Sequence, residues 1–226
     1  MSDHPLTLMA VHAHPDDEAI STGGVFLRYA DEGAKTILVT CTRGEEGEIV
    51  QPELDTPENK ARLAEIRDEE LRQAVELLKI NVFHQFGYRD SGMVGTPSNE
   101  HPDCFHQADL SQATGRLVAL IRQHRPHVLI GYNEEGGYGH PDHIAAHKIT
   151  VAAFHAAADP EQYPEAGAAW APSKLYYTSM RRSLMLKAWR MMQERGEKTP
   201  LDNPEFDVSR YVDDERAHSS IFIADY

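Results

Sequence analysis

The chain has 226 residues, enough for one domain with a substantial core, and its 36 acidic against 22 basic side chains leave a formal net charge of −14. That balance excludes a basic face for nucleic acid or an anionic membrane, because phosphate binding needs clustered Lys and Arg. Two cysteines are too few for a disulfide framework, no apolar run is long enough to span a bilayer, and no leader-like segment precedes the first apolar run, so the expected setting is a reducing cytoplasm.

The first apolar run, Leu6 to Val11, reads as a buried strand, and a helix-like segment follows from about Glu18 to Glu32. His14, Asp16 and Asp17 therefore sit on a strand-to-helix turn, the kind that lines the ligand crevice of an open parallel α/β sheet. An imidazole beside carboxylates suits a divalent cation, and a spare carboxylate can take a proton from water. A plainer account is a helix start, since Pro and acidic residues favour the first turn. The turn alone does not separate the two. His12, two positions before His14, reads as a buried, hydrogen-bonded residue rather than a ligand.

Gly33 ends the helix, and residues 36–42 read as a second buried strand. Glu45, Glu46 and Glu48 follow among Gly44 and Gly47. An acidic glycine-rich loop repels phosphate, so it is no P-loop; it is a solvated loop or a contact for hydroxyl groups. Residues 57–79 form a helix pattern with Pro57 at its start and an apolar stripe of Leu63, Ile66, Leu71, Val75 and Leu78, beside which Arg67 lies. The strand over 82–86 ends near Asp90, which can accept bonds from hydroxyls or close an Asx-turn. Residues 94–110 lack periodicity and read as a long loop of the kind that covers substrate.

A helix over 111–124, capped by Ser111, leads to the strand 128–132 and then to a second polar turn, Gly136 to His143, opening a helix over 141–158. Four strand ends thus carry polar groups toward one edge, and the two histidine turns can complete a three-ligand site. Beyond them lie a short strand at 174–177, an amphipathic helix at 183–195, a Gly/Pro linker and a strand-like end at 219–226, expected to pair with the sheet or a second copy. The pattern predicts a Rossmann-like, doubly wound, mostly parallel sheet with helices on both faces. Residues 1–160 form its core, and 161–226 form an α/β extension completing the same domain. The first turn lacks Gly-x-Gly-x-x-Gly, which excludes a dinucleotide site there.

The turn His14-Pro15-Asp16-Asp17-Glu18, paired with Gly137-Tyr138-Gly139-His140-Pro141-Asp142-His143, resembles the zinc-dependent N-acetylglucosaminyl deacetylases that include the phosphatidylinositol-glycan and LmbE-like enzymes. Thr40 to Glu48 and Tyr88 to Met93 are similar to the mycothiol branch, comprising the inositol-GlcNAc deacetylase and the conjugate amidase. The similarity runs from about residue 6 to about residue 180. It implies zinc held by His14, Asp17 and His143, although ferrous iron suits the same donors. It further implies Asp16 as general base, His140 and Tyr138 at the oxyanion, His140 acting as general acid if protonated, and Asp142 orienting His140. Glu48, Arg67 and Asp90 would contact the sugar.

The implied reaction removes acetyl from a GlcNAc-inositol-like substrate. Cleavage of a thiol conjugate's amide is the alternative in chemistry, and a metal- or sugar-binding module without turnover is the alternative in class. Asp16 argues against the last, because binding needs no spare base. Relatives of this branch continue into a further helix, so the resemblance implies a short member or a lost end. The aglycone and a homo-oligomeric state stay open.

Overall fold

The computed structural model describes residues 5–179, 181–204, 206–211 and 214–223. In chain order these form β1 (Thr7–His12), a wide π turn (Glu18–Thr22), α1 (Gly23–Asp31), β2 (Lys35–Thr42), α2 (Pro57–Ala61), α3 (Leu63–Leu77), β3 (Val82–Tyr88) and α4 (Leu110–His124). There follow β4 (Val128–Gly131), a single helical turn α5 (Gly136–Gly139), α6 (Pro141–Ala156), β5 (Lys174–Tyr177) and α7 (Arg182–Glu194). All five strands are parallel, in the order β3-β2-β1-β4-β5. From β1 the chain builds outward through β2 and β3, then returns to lay β4 and β5 on the other side. The switch point therefore falls between β1 and β4, where the two adjacent crossovers leave in opposite directions and a crevice opens at the carboxyl ends.

β1 is central and buried along its whole length, as a continuous apolar run requires of a strand covered on both faces. Its side chains alternate. Met9 and Val11, with Ile37, Val39 and Leu129 from the neighbouring strands, pack on Leu117 and Ile121 of α4 and Ile149 and Ala153 of α6. Leu8 and Ala10, with Leu38 and Ile130, pack on Phe26 of α1 and Leu71 of α3. Burying each such Leu, Ile or Phe stabilises by about 1.5–3 kcal/mol, so this sandwich is what holds the strand ends in place.

Arg122 of α4, only 4% exposed, donates to the carbonyls of Ala156, Ala157, Asp159, Gln162, Tyr163 and Gly167. A cation thereby closes the carboxyl end of α6 and gathers the loop that leads to β5. The segment assigned to an extension supplies β5 itself, which pairs with β4 from Val128↔Lys174 to Gly131↔Tyr177.

Several boundaries differ from the sequence expectation. The helix expected over 57–79 breaks at Arg62 (φ −115°), between α2, which buries no side chain, and α3, which buries Leu63 and Leu71. α4 is capped by Asp109, whose carboxylate accepts from the amides of Ser111 and Gln112; Ser111 is a donor to the cap rather than the cap. Residues 219–223 form no strand. Ile223 lies against Gly24, and the Phe222 carbonyl accepts from Arg28 Nη1 at 2.9 Å, so the segment packs on α1 instead of the sheet. Residues 224–226 of that expected strand lie outside the described residues. Among the described residues no helix is long and apolar enough to cross a membrane.

Candidate active site

The two polar turns meet at the switch point. Gly136, Gly137 and Gly139 all have positive φ, so α5 is confined to one turn and the start of α6 swings toward β1. A Cβ on Gly136 would stand 2.7 Å from the Cβ of His143 and 2.9 Å from the Ile144 amide, so this close approach requires glycine.

His143, 3% exposed, donates Nδ1–H to the Gly136 carbonyl at 3.1 Å, which leaves Nε2 with a lone pair. His14 directs Nε2 at Asp142 Oδ2, 3.2 Å away, so in the neutral, metal-binding form of the ring that nitrogen carries the proton and Nδ1 has the lone pair. The two lone-pair nitrogens face each other at 3.2 Å. Asp17 Oδ2 completes the triangle, 3.5 Å from His14 Nδ1 and 3.4 Å from His143 Nε2. Three acceptors thus converge on one point. Ligands about 2.0–2.1 Å from a tetrahedral ion stand about 3.3 Å apart, so this donor set and spacing fit a divalent cation with one coordination position left over.

The electrostatics agree. Burial opposes charge on His14, yet the carboxylates of Asp142, Asp17 and Asp90 outweigh it and hold its pKa well above the usual histidine range, a pull on positive charge that a proton on Nδ1 satisfies and that a bound divalent cation would take over. Burial also opposes charge on Asp17, but His14 and His143 hold its carboxyl well below the ordinary value. The pocket favours positive charge at its centre. Asp17 makes no cap bond to the helix that follows; its Oδ2 accepts from the His14 amide at 2.9 Å and the Tyr132 hydroxyl at 2.7 Å. The helix-start account of this turn therefore fails at Asp17.

Asp16 points the other way. Its φ is +113°, a strained value for a residue with a side chain, costing about 1–3 kcal/mol. The Asp16 amide donates to Glu18 Oε2 at 3.0 Å, and Arg67 Nη2 donates to Asp16 Oδ2 at 2.7 Å. Arg67 also donates to the carbonyls of Gly44 and Pro15. A side chain on Gly44 or Gly47 would fall on this guanidinium, which accounts for both glycines of the acidic loop. The Asp16 side chain is 54% exposed at the rim, and its partial desolvation raises its pKa against the pull of Arg67.

His140 caps α6 by accepting the Asp142 amide at Nδ1, 3.2 Å, so its proton lies on Nε2. Burial lowers its pKa to about 4, leaving a neutral ring that donates through Nε2–H rather than an imidazolium acid. Tyr138, 38% exposed, stands edge-on to His143 at 4.9 Å; burial pushes its pKa up to about 12, so the phenol remains a donor.

Two expected roles land elsewhere. Asp142, fully buried, accepts from His14 Nε2–H and the Ser91 amide on Oδ2 and from the Ser91 hydroxyl on Oδ1. Its side chain orients His14, while only its backbone touches His140, because the first turn of α6 aims the carboxylate across the crevice. Asp90 is 3% exposed, 3.6 Å from His14 Nε2, and closed by the Gly92 amide in an Asx-turn. It is buried beside the Nε2 edge of the imidazole rather than exposed in the open cleft. His14, Asp90, His140 and Asp142 form a second cluster of potential ligand atoms, but Ser91 already engages both Asp142 oxygens. Ser91 and Tyr132 lie at the site without a role from pattern reading; Ser91 sits within the Tyr88–Met93 stretch, and the signal at Tyr132 is a hydroxyl just past a strand's carboxyl end. Glu48 and Arg67 line a cavity of about 770 Å³ between the 47–54 loop and α3, which opens at Asp16.

Residues 9–154 match the family model described as PIG-L, GlcNAc-PI de-N-acetylase. A 1D-myo-inositol 2-acetamido-2-deoxy-alpha-D-glucopyranoside deacetylase from Catenulispora acidiphila is 48% identical over 196 residues, covering 84% of this chain and 61% of the relative. A deacetylase of the same description from Geodermatophilus obscurus is 45% identical over 199 residues, covering 85% and 68%. The chain thus spans roughly two thirds of the length of these relatives or less. Among solved structures, the N,N'-diacetylchitobiose deacetylase from Pyrococcus horikoshii superposes with a TM-score of 0.60 at 20% identity, covering 85% of this chain and 71% of that one, which establishes the shared fold. With the paired turns, the parallel sheet and the match over most of its length taken together, the chain belongs to the GlcNAc-PI de-N-acetylase family.

Proposed function

We propose that the chain hydrolyses the acetamide of an N-acetylglucosaminyl substrate of the GlcNAc-inositol type, with zinc held by His14, Asp17 and His143. The observation that carries this reading is the triangle of inward-facing acceptors beside a half-exposed carboxylate, Asp16, that takes no part in it. The identity of the relatives points to the same substrate class. When bound, zinc supplies Lewis acidity, polarising the amide carbonyl and acidifying water.

The residues do the rest. Asp16 accepts the proton of the attacking water and passes it to the departing amine, so water and amide become acetate and a free amino sugar. Arg67 favours the ionised form of Asp16 and aims it, and with Glu48 it lines the cavity that receives the sugar. Neutral His140, through Nε2–H, and the Tyr138 hydroxyl donate to the developing oxyanion. Asp142 and Asp90 fix the orientation of His14.

The test is amine release from a panel of N-acetylglucosaminides, GlcNAc-inositol included, with and without chelator, in wild type and Asp16→Ala. Expected are chelator-sensitive release and a loss of about 10²–10⁴-fold in Asp16→Ala with metal content unchanged. Release only from the amide of a thiol conjugate would move the assignment to an amidase, and sugar binding without turnover would reduce it to a binding module. Metal analysis of the purified protein distinguishes zinc from ferrous iron.

A further inference from the structure

Tyr132 follows β4 directly and is 5% exposed. A phenylalanine would fill the same space without a polar atom to satisfy, so the hydroxyl calls for an explanation. It donates to Asp17 Oδ2 at 2.7 Å and accepts the Ala13 amide at 2.9 Å. Ala13 and Asp17 bracket the His14 turn. One side chain from β4 therefore ties both ends of the turn that follows β1.

The tyrosine proton has a second potential acceptor, His12 Nδ1 at 3.3 Å. Thr22 donates its hydroxyl to the Glu18 carbonyl and so accepts from His12 Nε2–H, which makes His12 Nδ1 an acceptor. With one proton to give, the hydroxyl serves the nearer and anionic partner, Asp17. Its ring lies nearly flat on His143, with centroids 4.2 Å apart and planes 23° apart. Its carbonyl accepts from His147 Nδ1 at 2.8 Å, one helical turn beyond His143 on α6. Tyr132 thus touches two of the three inward-facing residues and is clamped to the helix that carries one of them.

Asp16 and Asp17 are adjacent and chemically identical, and each has its own tether. Arg67 draws Asp16 to the rim, and Tyr132 draws Asp17 inward. We propose that Tyr132 is a positioning residue that holds Asp17 and the plane of His143 in the geometry that binds metal, and so divides the two carboxylates into ligand and base. The inference rests on the reading of His14, Asp17 and His143 as the ligand set.

Zinc affinity, measured by competition with a chromophoric chelator at pH 7, tests it without reference to turnover. Asp17→Ala should lose stoichiometric zinc. Tyr132→Phe, shown to be folded by circular dichroism, should bind zinc about 10–100-fold more weakly, the usual penalty for removing a hydrogen bond behind a ligand, with amine release largely recovered at saturating zinc. A folded Tyr132→Phe with wild-type affinity would overturn the inference alone. Wild-type affinity in Asp17→Ala would overturn the ligand set and the inference with it. If Tyr132→Phe does not fold, tyrosine labelled with ¹³C at the ζ carbon can be followed by NMR in the Tyr138→Phe protein. One resonance should then shift on adding one equivalent of zinc, and the absence of any shift would sink the idea.

Discussion

Among the described residues two pairs of histidines stand nitrogen to nitrogen, and they illustrate opposite outcomes of the same contact. His14 and His143 face each other at 3.2 Å, His84 of β3 and His124 of α4 at 2.8 Å. In the first pair the outer nitrogen of each ring is engaged, by Asp142 and by the Gly136 carbonyl, so in the neutral rings both protons are held outward and the inner nitrogens are left to face a cation, with Asp17 as a third donor. In the second pair neither outer nitrogen has a hydrogen bond among the described residues, so one ring donates to the other. On the proposed reading, facing histidines become able to hold a cation through the groups behind them.

The strongest test of that contrast is His143→Ala. It should lose bound zinc and at least about 10³-fold in kcat/KM, as removal of a Lewis acid worth several kcal/mol predicts. His84→Gln should leave zinc stoichiometry and turnover unchanged. Atomic absorption of dialysed protein, together with initial rates, reads both. Zinc lost from His84→Gln would break the comparison outright.

A subtler change leaves the facing rings in place and alters only what stands behind one of them. Asp142→Asn keeps the shape but weakens the hold on the His14 Nε2 proton, so zinc affinity should fall about 10–100-fold while the fold persists. Unchanged affinity in chelator competition would mean that the outer partner does not set the site.

The smallest effect concerns pH. Burial lowers the pKa of both His84 and His124, that of His124 further because of His84 and Lys35. A histidine with a depressed folded pKa binds fewer protons than in the unfolded chain, so its contribution to stability is intact above pH 6.5 and is lost as pH falls from there through the folded value. Both rings are only part-buried, so solvent screening should keep the loss below about 1 kcal/mol. Urea denaturation at pH 7 and pH 5 should show a smaller pH dependence in His84→Gln than in wild type, and equal dependence would contradict it.

Much of the architecture is written in local pattern. Apolar runs bounded by glycine and proline announce buried strands, and β5 at 174–177 was legible from four residues. The parallel, doubly wound sheet follows from alternation of strands and helices, and the two histidine turns stand out because ligand-type side chains cluster just beyond strand ends. These features depend on residues near one another in sequence, where period and spacing carry the information.

What each polar side chain touches was decided in three dimensions. Arg122 looks like any helical arginine, yet it is buried under six carbonyls that the chain reaches 34 to 45 residues later. Asp142 serves His14 rather than its neighbour His140, Asp90 is buried beside the His14 Nε2 edge, Ser91 lies in a recognised stretch that gave it no role, and Tyr132 enters the site with no motif to mark it. Sequence alone could not separate Asp16 from Asp17. The sheet order separates them by bringing β4 with Tyr132 to one side of the turn and α3 with Arg67 to the other, because hydrogen-bond geometry depends on which strands become neighbours, and only the packed sheet settles that.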